Sequence, residues 1–219
     1  MIRVVRGEEP EELAEVRERR LEAARCAVEA GEAPVVEGYQ VAKAPLWRAQ
    51  HMKCCYCEAR RGCKHDDVEH YRPKRQYWWL TWTWENLLFA CPSCNRSGKG
   101  GAFPLQPGSM VLRAGEQPPG GELPVLIDPA AEDPEEHIEF RLVCDHWLPV
   151  ARSGSRRGAE TILLLGLDRM ELRDQYDAHA KQVMKMLERT RPEEREAQIA
   201  DLTGPGSPFT ALTRAVLAR

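Results

Sequence analysis

A chain of 219 residues, 42% hydrophobic and 30% charged, can bury one substantial core and is too polar to be a membrane-embedded protein. Its formal charge of −3 leaves the partner open, because a local basic face can sit in an acidic frame. No run of about 18 apolar residues occurs, and the opening "MIRVVRGEEPEELAEV" lacks the apolar heart of a signal peptide, so a cytoplasmic location without a membrane partner is expected.

The first element in chain order is a helix over "EEPEELAEVRERRLEAARCAVEAG". Pro10 near the first turn, early acids and Gly31 after the end mark its limits, and Leu13, Val16, Leu21, Ala24 and Val28 suit one buried stripe. A shorter helix is expected over Ala44 to Met52, closing an N-terminal helical segment of residues 1–52. Residues 53–105 form a distinct unit with six of the eight cysteines and four of the six tryptophans. The run "YWWLTWTW" reads as filling for a core or an interface, with base stacking the lesser expectation.

Residues 106–219 begin with a Gly- and Pro-rich loop, followed by "VLIDP", read as a short buried strand. "HIEFRLVCDHWLPVA" alternates as a hairpin turning near Asp145. The remainder is helical: "AETILLLG" stops at Gly166, Asp168 caps a long helix to about Thr190, Pro192 starts another, and Ser207 with Pro208 begins the last. His51, His65, His137, His146 and His179 are read as carrying no chemistry.

In the expected reducing compartment, paired Cys-x-x-Cys reads as metal binding rather than as disulfides. Cys54/Cys57 and Cys91/Cys94 are two such knuckles, and four thiolates at about 2.3 Å make a closed, structural Zn²⁺ site. Cys55, Cys63 and His65 are rival ligands, and a redox Cys-x-x-Cys is a third reading that lacks a surrounding βαβ pattern. Cys26 and Cys144 have no ligand-spaced neighbour and are expected to be buried as small hydrophobes.

Between the knuckles lies "DDVEHYRPK", and Asn95 follows the second. Phosphodiester hydrolysis needs a base, a cation for growing charge and cationic side chains on the backbone. His70 can be the base; Glu69 and Asn95 offer hard oxygens to Mg²⁺ or Mn²⁺, with Asp66 and Asp67 as alternative acids. Arg72, Lys74, Arg75, Arg96 and Lys99 can contact phosphates. Residues 51–100 carry nine Lys/Arg against five Asp/Glu, a local charge of 9 − 5 = +4 that suits nucleic acid.

The constellation Cys54/Cys57, Glu69-His70-Tyr71-Arg72-Pro73, Asn86-Leu87, Cys91/Cys94-Asn95 and Lys99 resembles the zinc-containing HNH endonucleases. The resemblance implies an α+β protein with a ββα-metal core and a four-cysteine zinc, flanked by N-terminal and C-terminal helices. It implies His70 as general base, Glu69 and Asn95 as ligands of a catalytic Mg²⁺ or Mn²⁺, and Asn86 as a brace of the loop. Choosing Glu69 over Asp67 rests on this resemblance, since alternation puts both on one strand face and His70 on the other. Glu replaces the more usual Asp, and Lys99 stands where many members carry His, which suggests that Lys99 touches phosphate. "RGEEP", "LIDPAAEDPEEHIEF" and "TILLLGLDR" further resemble the bacterial HNH family that includes the nuclease subunit of Septu-type anti-phage systems. That implies a nuclease acting on DNA rather than RNA and an ABC- or SMC-like ATPase partner. The alternative is a non-catalytic zinc module that binds nucleic acid or scaffolds an ATPase.

Overall fold

The computed structural model describes residues 1–219 as a mixed helix-and-sheet fold. Helices α1 (Glu11–Glu29) and α2 (Lys43–Ala49) precede an antiparallel ribbon of β1 (Asp67–His70) and β2 (Leu87–Ala90), with a π-helical segment, Ser93–Lys99, directly after it. A second ribbon pairs β3 (Ile138–Val143) with β4 (His146–Ala151). Four helices follow: α3 (Arg156–Leu165), α4 (Met170–Arg189), α5 (Arg195–Thr203) and α6 (Thr210–Leu217). No helix is long and apolar enough to cross a membrane.

The β1–β2 ribbon is buried on both faces, which explains its continuous apolar run "LLFA" in place of alternation. Pairing of Val68 with Phe89 and His70 with Leu87 defines one face. Val68, Leu87 and Phe89 there pack with Leu13, Leu46, Trp82 and Trp84. Glu69 opposite Leu88 and Asp67 opposite Ala90 define the other. Leu88 and Ala90 join the larger core, which holds the knuckle cysteines together with residues of α3, α4, α5 and α6. The "YWWLTWTW" run fills the interior, Trp82 and Trp84 in the α1-side core and Tyr77, Trp79 and Leu80 in a small cluster with Leu112, and the indole N–H groups of Trp79, Trp82 and Trp84 donate to the Glu116, Glu37 and Gly7 carbonyls.

Three expectations need correcting. "VLIDP" is buried at Leu126 and Ile127 but forms no ladder. Single bonds to separate partners satisfy its backbone: the Val125 N–H donates to the Pro104 carbonyl (2.9 Å), the Val4 N–H to the Pro129 carbonyl (2.7 Å), Tyr71 Oη to the Leu126 carbonyl (2.6 Å), and the Ile127 N–H to Thr161 Oγ1 (3.1 Å). Asp168 caps nothing: α4 begins at Met170 with Arg169 in the N-cap position and no side-chain cap bond. Cys26 and Cys144 are exposed, the first on α1 and the second at the hairpin turn, where Cys144 (φ 47°) and Asp145 (φ 63°) are both left-handed. Local position overrode the thiol's apolar preference.

The second ribbon is locked to α3 at one close approach. Ser155 Oγ accepts from the Gly158 N–H (3.1 Å), capping α3, and shares a 2.9 Å hydrogen bond with His137 Nδ1. A Cβ at Gly158 would lie 2.1 Å from the His137 carbonyl oxygen. Gly158→Ala must therefore push helix and hairpin apart, and a loss of about 1–3 kcal/mol is expected in urea unfolding. An unchanged midpoint would contradict this packing.

Candidate metal centre and catalytic ribbon

The four knuckle cysteines meet. The Sγ atoms of Cys54, Cys57, Cys91 and Cys94 all lie within 4.8 Å of one another and all four residues are buried. Cys57 Sγ and Cys91 Sγ are 3.9 Å apart, close to the edge of about 3.8 Å that 2.3 Å bonds in a tetrahedron require. The set could hold a metal ion such as zinc, and its donor chemistry fits. The rivals stand outside: Cys55 is buried beside Cys54 but absent from the cluster, while Cys63 is only half-buried and His65 is exposed. Hydrogen bonding from the neighbouring thiols, Cys54 first, pushes Cys57 and Cys94 up, so metal binding there must release protons.

Two residues that sequence reasoning passed over support this knot. Arg169 Nη1 lies 3.6 Å from Cys94 Sγ and donates to the Gly166 carbonyl at 3.0 Å. Its cation leans on the thiolates from the turn between α3 and α4, which is what "LDR" in "TILLLGLDR" builds. Glu58, directly after Cys57, is buried with φ 61°. It lies 2.8 Å from the Met1 α-amino nitrogen and 3.6 Å from Lys53 Nζ, and accepts from the Thr210 N–H at 2.8 Å. Burial raises its pKa, but those two cations outweigh it and hold Glu58 below the usual range. α6 is thereby pinned to the first knuckle. A buried acid behind a glycine-like φ has no sequence signature.

His70 sits at the end of β1, 6% exposed, with Tyr39 packed edge-on at 4.5 Å. Its Nε2 lies 3.0 Å from the Thr81 carbonyl, an acceptor only, so the proton belongs on Nε2 and the Nδ1 lone pair is left free. Nδ1 has no protein partner and is not sealed from the surface. Desolvation lowers the pKa to about 3, so the imidazole is neutral at physiological pH. Asn86 is buried: its Oδ1 accepts from the Arg72 N–H (2.8 Å), while its Nδ2 donates to the Arg72 (3.0 Å) and Leu80 (3.1 Å) carbonyls. It staples the turn after His70 to the segment that presents Thr81.

The other ribbon face is arranged differently from expectation. Glu69 is 2% exposed; Lys99 Nζ lies 2.7 Å from its Oε1, and Tyr56 Oη donates to the same oxygen at 3.2 Å. Lys99, equally buried, also donates to the His70 carbonyl at 2.7 Å. Burial pushes Glu69 up and Lys99 opposes it. Lys99 therefore cannot touch phosphate as expected; it is an internal counter-ion. Asn95 Nδ2 donates to Asp67 Oδ2 at 3.1 Å, not to Glu69, and Arg96 closes a bidentate pair on Asp67 (2.9 and 2.6 Å). Asp66, the other alternative acid, is buried and accepts from Arg61. Glu69 and Asn95 share no hydrogen bond, and the charge of Glu69 is matched by the Lys99 ammonium, with both of its partners, Lys99 and Tyr56, on Oε1. The side chain of His70 faces away from both.

The expected phosphate contacts divide. Arg72 is buried against Glu122 (2.7 Å) and stacks near Tyr71 and Phe103, so it is not a surface contact. Lys74 lies over the Tyr39 ring and donates to Tyr39 Oη at 2.8 Å, on the His70 side of the ribbon. Arg75 and Arg96 are exposed, the latter engaged by Asp67.

No protein-family profile matches the chain. It is 34% identical over 146 residues to Septu protein PtuB of Bacillus mycoides (strain KBAB4), covering 60% of this chain and 48% of that protein. Over the matched stretch the chain is similar to Septu PtuB. The PtuB of Bacillus thuringiensis shares 28% over 138 residues, 62% of this chain and 44% of its own. The chain thus spans about half the length of the PtuB proteins it matches.

Removing the metal should remove the fold that depends on it. Atomic emission should find stoichiometric zinc in the purified protein, and Cys94→Ser or a strong chelator should abolish cooperative thermal unfolding. A chelated protein that melts as before would show the thiols to be mere packing.

Proposed function

We propose that this protein is an HNH-type nuclease that hydrolyses nucleic-acid phosphodiesters, DNA before RNA, in anti-phage defence beside an ATPase partner. The observation that carries the reading is His70. It is a neutral imidazole at a strand end, held by Thr81 on one nitrogen with the other free, and the loop around it is stapled by Asn86. An antiparallel ribbon followed at once by a helical segment, tied by a four-cysteine knot, supports the ββα reading. The likeness to Septu PtuB supports the defence role and the partner.

In this reading His70 Nδ1 takes a proton from water while the water oxygen attacks phosphorus. The bond to the 3′ oxygen breaks, leaving 5′-phosphate and 3′-hydroxyl ends, the proton returning to the departing oxygen. Lys74 and Arg75, on the turn after His70, hold the strand by its phosphates. Mg²⁺ or Mn²⁺, implied by the HNH resemblance, would supply positive charge for the leaving oxygen. In the structure the charge of Glu69 is already matched by Lys99.

The Glu69–Lys99 pair is also the observation that favours a second reading, a zinc module that binds nucleic acid or scaffolds the ATPase without cutting. A single experiment separates them. Plasmid is incubated with Mg²⁺ or Mn²⁺ and the protein co-purified with its ATPase, using wild type and His70→Ala. The nuclease reading expects His70→Ala to lower cutting by about 10²–10⁴-fold while zinc content is unchanged. Equal cutting by both proteins, or none by wild type, would favour the scaffold.

A further inference from the structure

Around the β1–β2 ribbon the basic side chains are matched by acids. Lys53 faces Glu58, Arg61 faces Asp66, Arg72 faces Glu122, Arg96 faces Asp67 and Lys99 faces Glu69. Lys74, on the turn after His70, departs from this pattern. It has no carboxylate partner; it donates instead to the Tyr39 hydroxyl at 2.8 Å, and its Nζ lies 4.4 Å from the centre of the Tyr39 ring. A phenol accepts from the ammonium and turns π-electrons toward it, but cancels none of its charge.

Tyr39 comes from the segment before α2, outside the zinc-bearing unit. Gly38 turns the chain there with a left-handed φ of 88°, where a Cβ would lie 3.0 Å from Val16 Cγ1, and its N–H donates to Gln40 Oε1 at 3.0 Å. The turn sets the Tyr39 ring edge-on to the His70 ring, with centroids 4.5 Å apart and planes at 80°. Tyr39 and Lys74 are both half-buried, so packing holds them while their polar ends reach the surface. Because Lys74 donates in the bond between them, Tyr39 Oη keeps its own proton, and that proton has no acceptor. The ammonium also retains N–H groups beyond the one given to Tyr39. A phenylalanine would pack on His70 equally well. The hydroxyl adds a donor beside an unmatched positive charge, an arrangement that suits an anion with several acceptor oxygens.

We propose that Tyr39 and Lys74 form a clamp for one phosphate of a nucleic-acid strand, the Tyr39 O–H and the Lys74 ammonium donating to its non-bridging oxygens. The inference rests on reading the ribbon as a nucleic-acid site, and adds to it a contact from the N-terminal segment. Since Tyr39 packs on His70, the clamped phosphate is the one that His70 addresses or its neighbour along the strand. Such a contact fixes the register of the backbone and reads no base.

The test is fluorescence anisotropy on the full chain, without added divalent ions, using a labelled DNA duplex and the same duplex with uncharged methylphosphonate linkages. Tyr39→Phe keeps the ring against His70 and deletes the donor; Lys74→Met deletes the charge. Tyr39→Phe is expected to weaken binding of the phosphodiester duplex about three- to tenfold with its salt dependence unchanged. Lys74→Met should weaken it further and lower the slope of log affinity against log salt by about one. On the methylphosphonate duplex, Tyr39→Phe should bind as wild type does. No saturable binding of the phosphodiester duplex, binding unchanged by Tyr39→Phe, or equal weakening on both duplexes overturns the proposal. Cutting by wild type and His70→Ala, assayed in parallel, keeps the two claims apart. Binding weakened by Tyr39→Phe in a protein that does not cut leaves the clamp and removes the hydrolysis. Cutting lost in His70→Ala with binding unchanged by Tyr39→Phe leaves the hydrolysis and removes the clamp.

Discussion

Four buried sulfurs within 4.8 Å of one another are the constraint on which the rest of this structure depends. Thiols are poor hydrogen-bonding partners and four ionised ones would repel, and a cation such as zinc could hold them together. Cys54 and Cys57 lie before β1 while Cys91 and Cys94 follow β2. The knot therefore closes the ribbon at its open end and fixes the π-helical segment that bears Asn95 and Lys99. Arg169 and Glu58 extend the same restraint to the C-terminal helices, so the β1–β2 ribbon and the helical region share one core.

A ribbon buried on both faces can carry two separate polar systems, one on each side. On the α1 side His70 is desolvated, neutral and held by Thr81. On the other side Glu69 and Lys99 neutralise each other in the core, an arrangement that is expensive to break because either charge alone would be buried unpaired. The partly buried acid on that face is Asp67, held by Asn95 and Arg96. Strand alternation makes this partition unavoidable: neighbours along β1 cannot share a face.

Much of this was legible in the sequence, for identifiable reasons. The first helix, the hairpin at Asp145 and the stop at Gly166 follow from local signals that act within a few residues. The matched spacing of two knuckles announced the cysteine cluster, since metal geometry is short-ranged and strict. What stayed hidden depends on long-range pairing. Lys99 reads as a phosphate contact in one dimension and becomes a counter-ion only when the segment after Cys94 folds back on β1. Arg72 is withdrawn in the same way by Glu122, fifty positions away. "VLIDP" has the composition of a strand, but the groups that satisfy its backbone are single backbone and side-chain partners scattered along the chain, not a ladder.

The most direct test of this account is zinc-edge X-ray absorption on the purified chain. Four sulfur scatterers at about 2.3 Å, with no nitrogen or oxygen in the inner shell, are predicted for Cys54, Cys57, Cys91 and Cys94. Nitrogen scatterers from histidine, fewer than four sulfurs, or an S–S distance near 2.05 Å would contradict it.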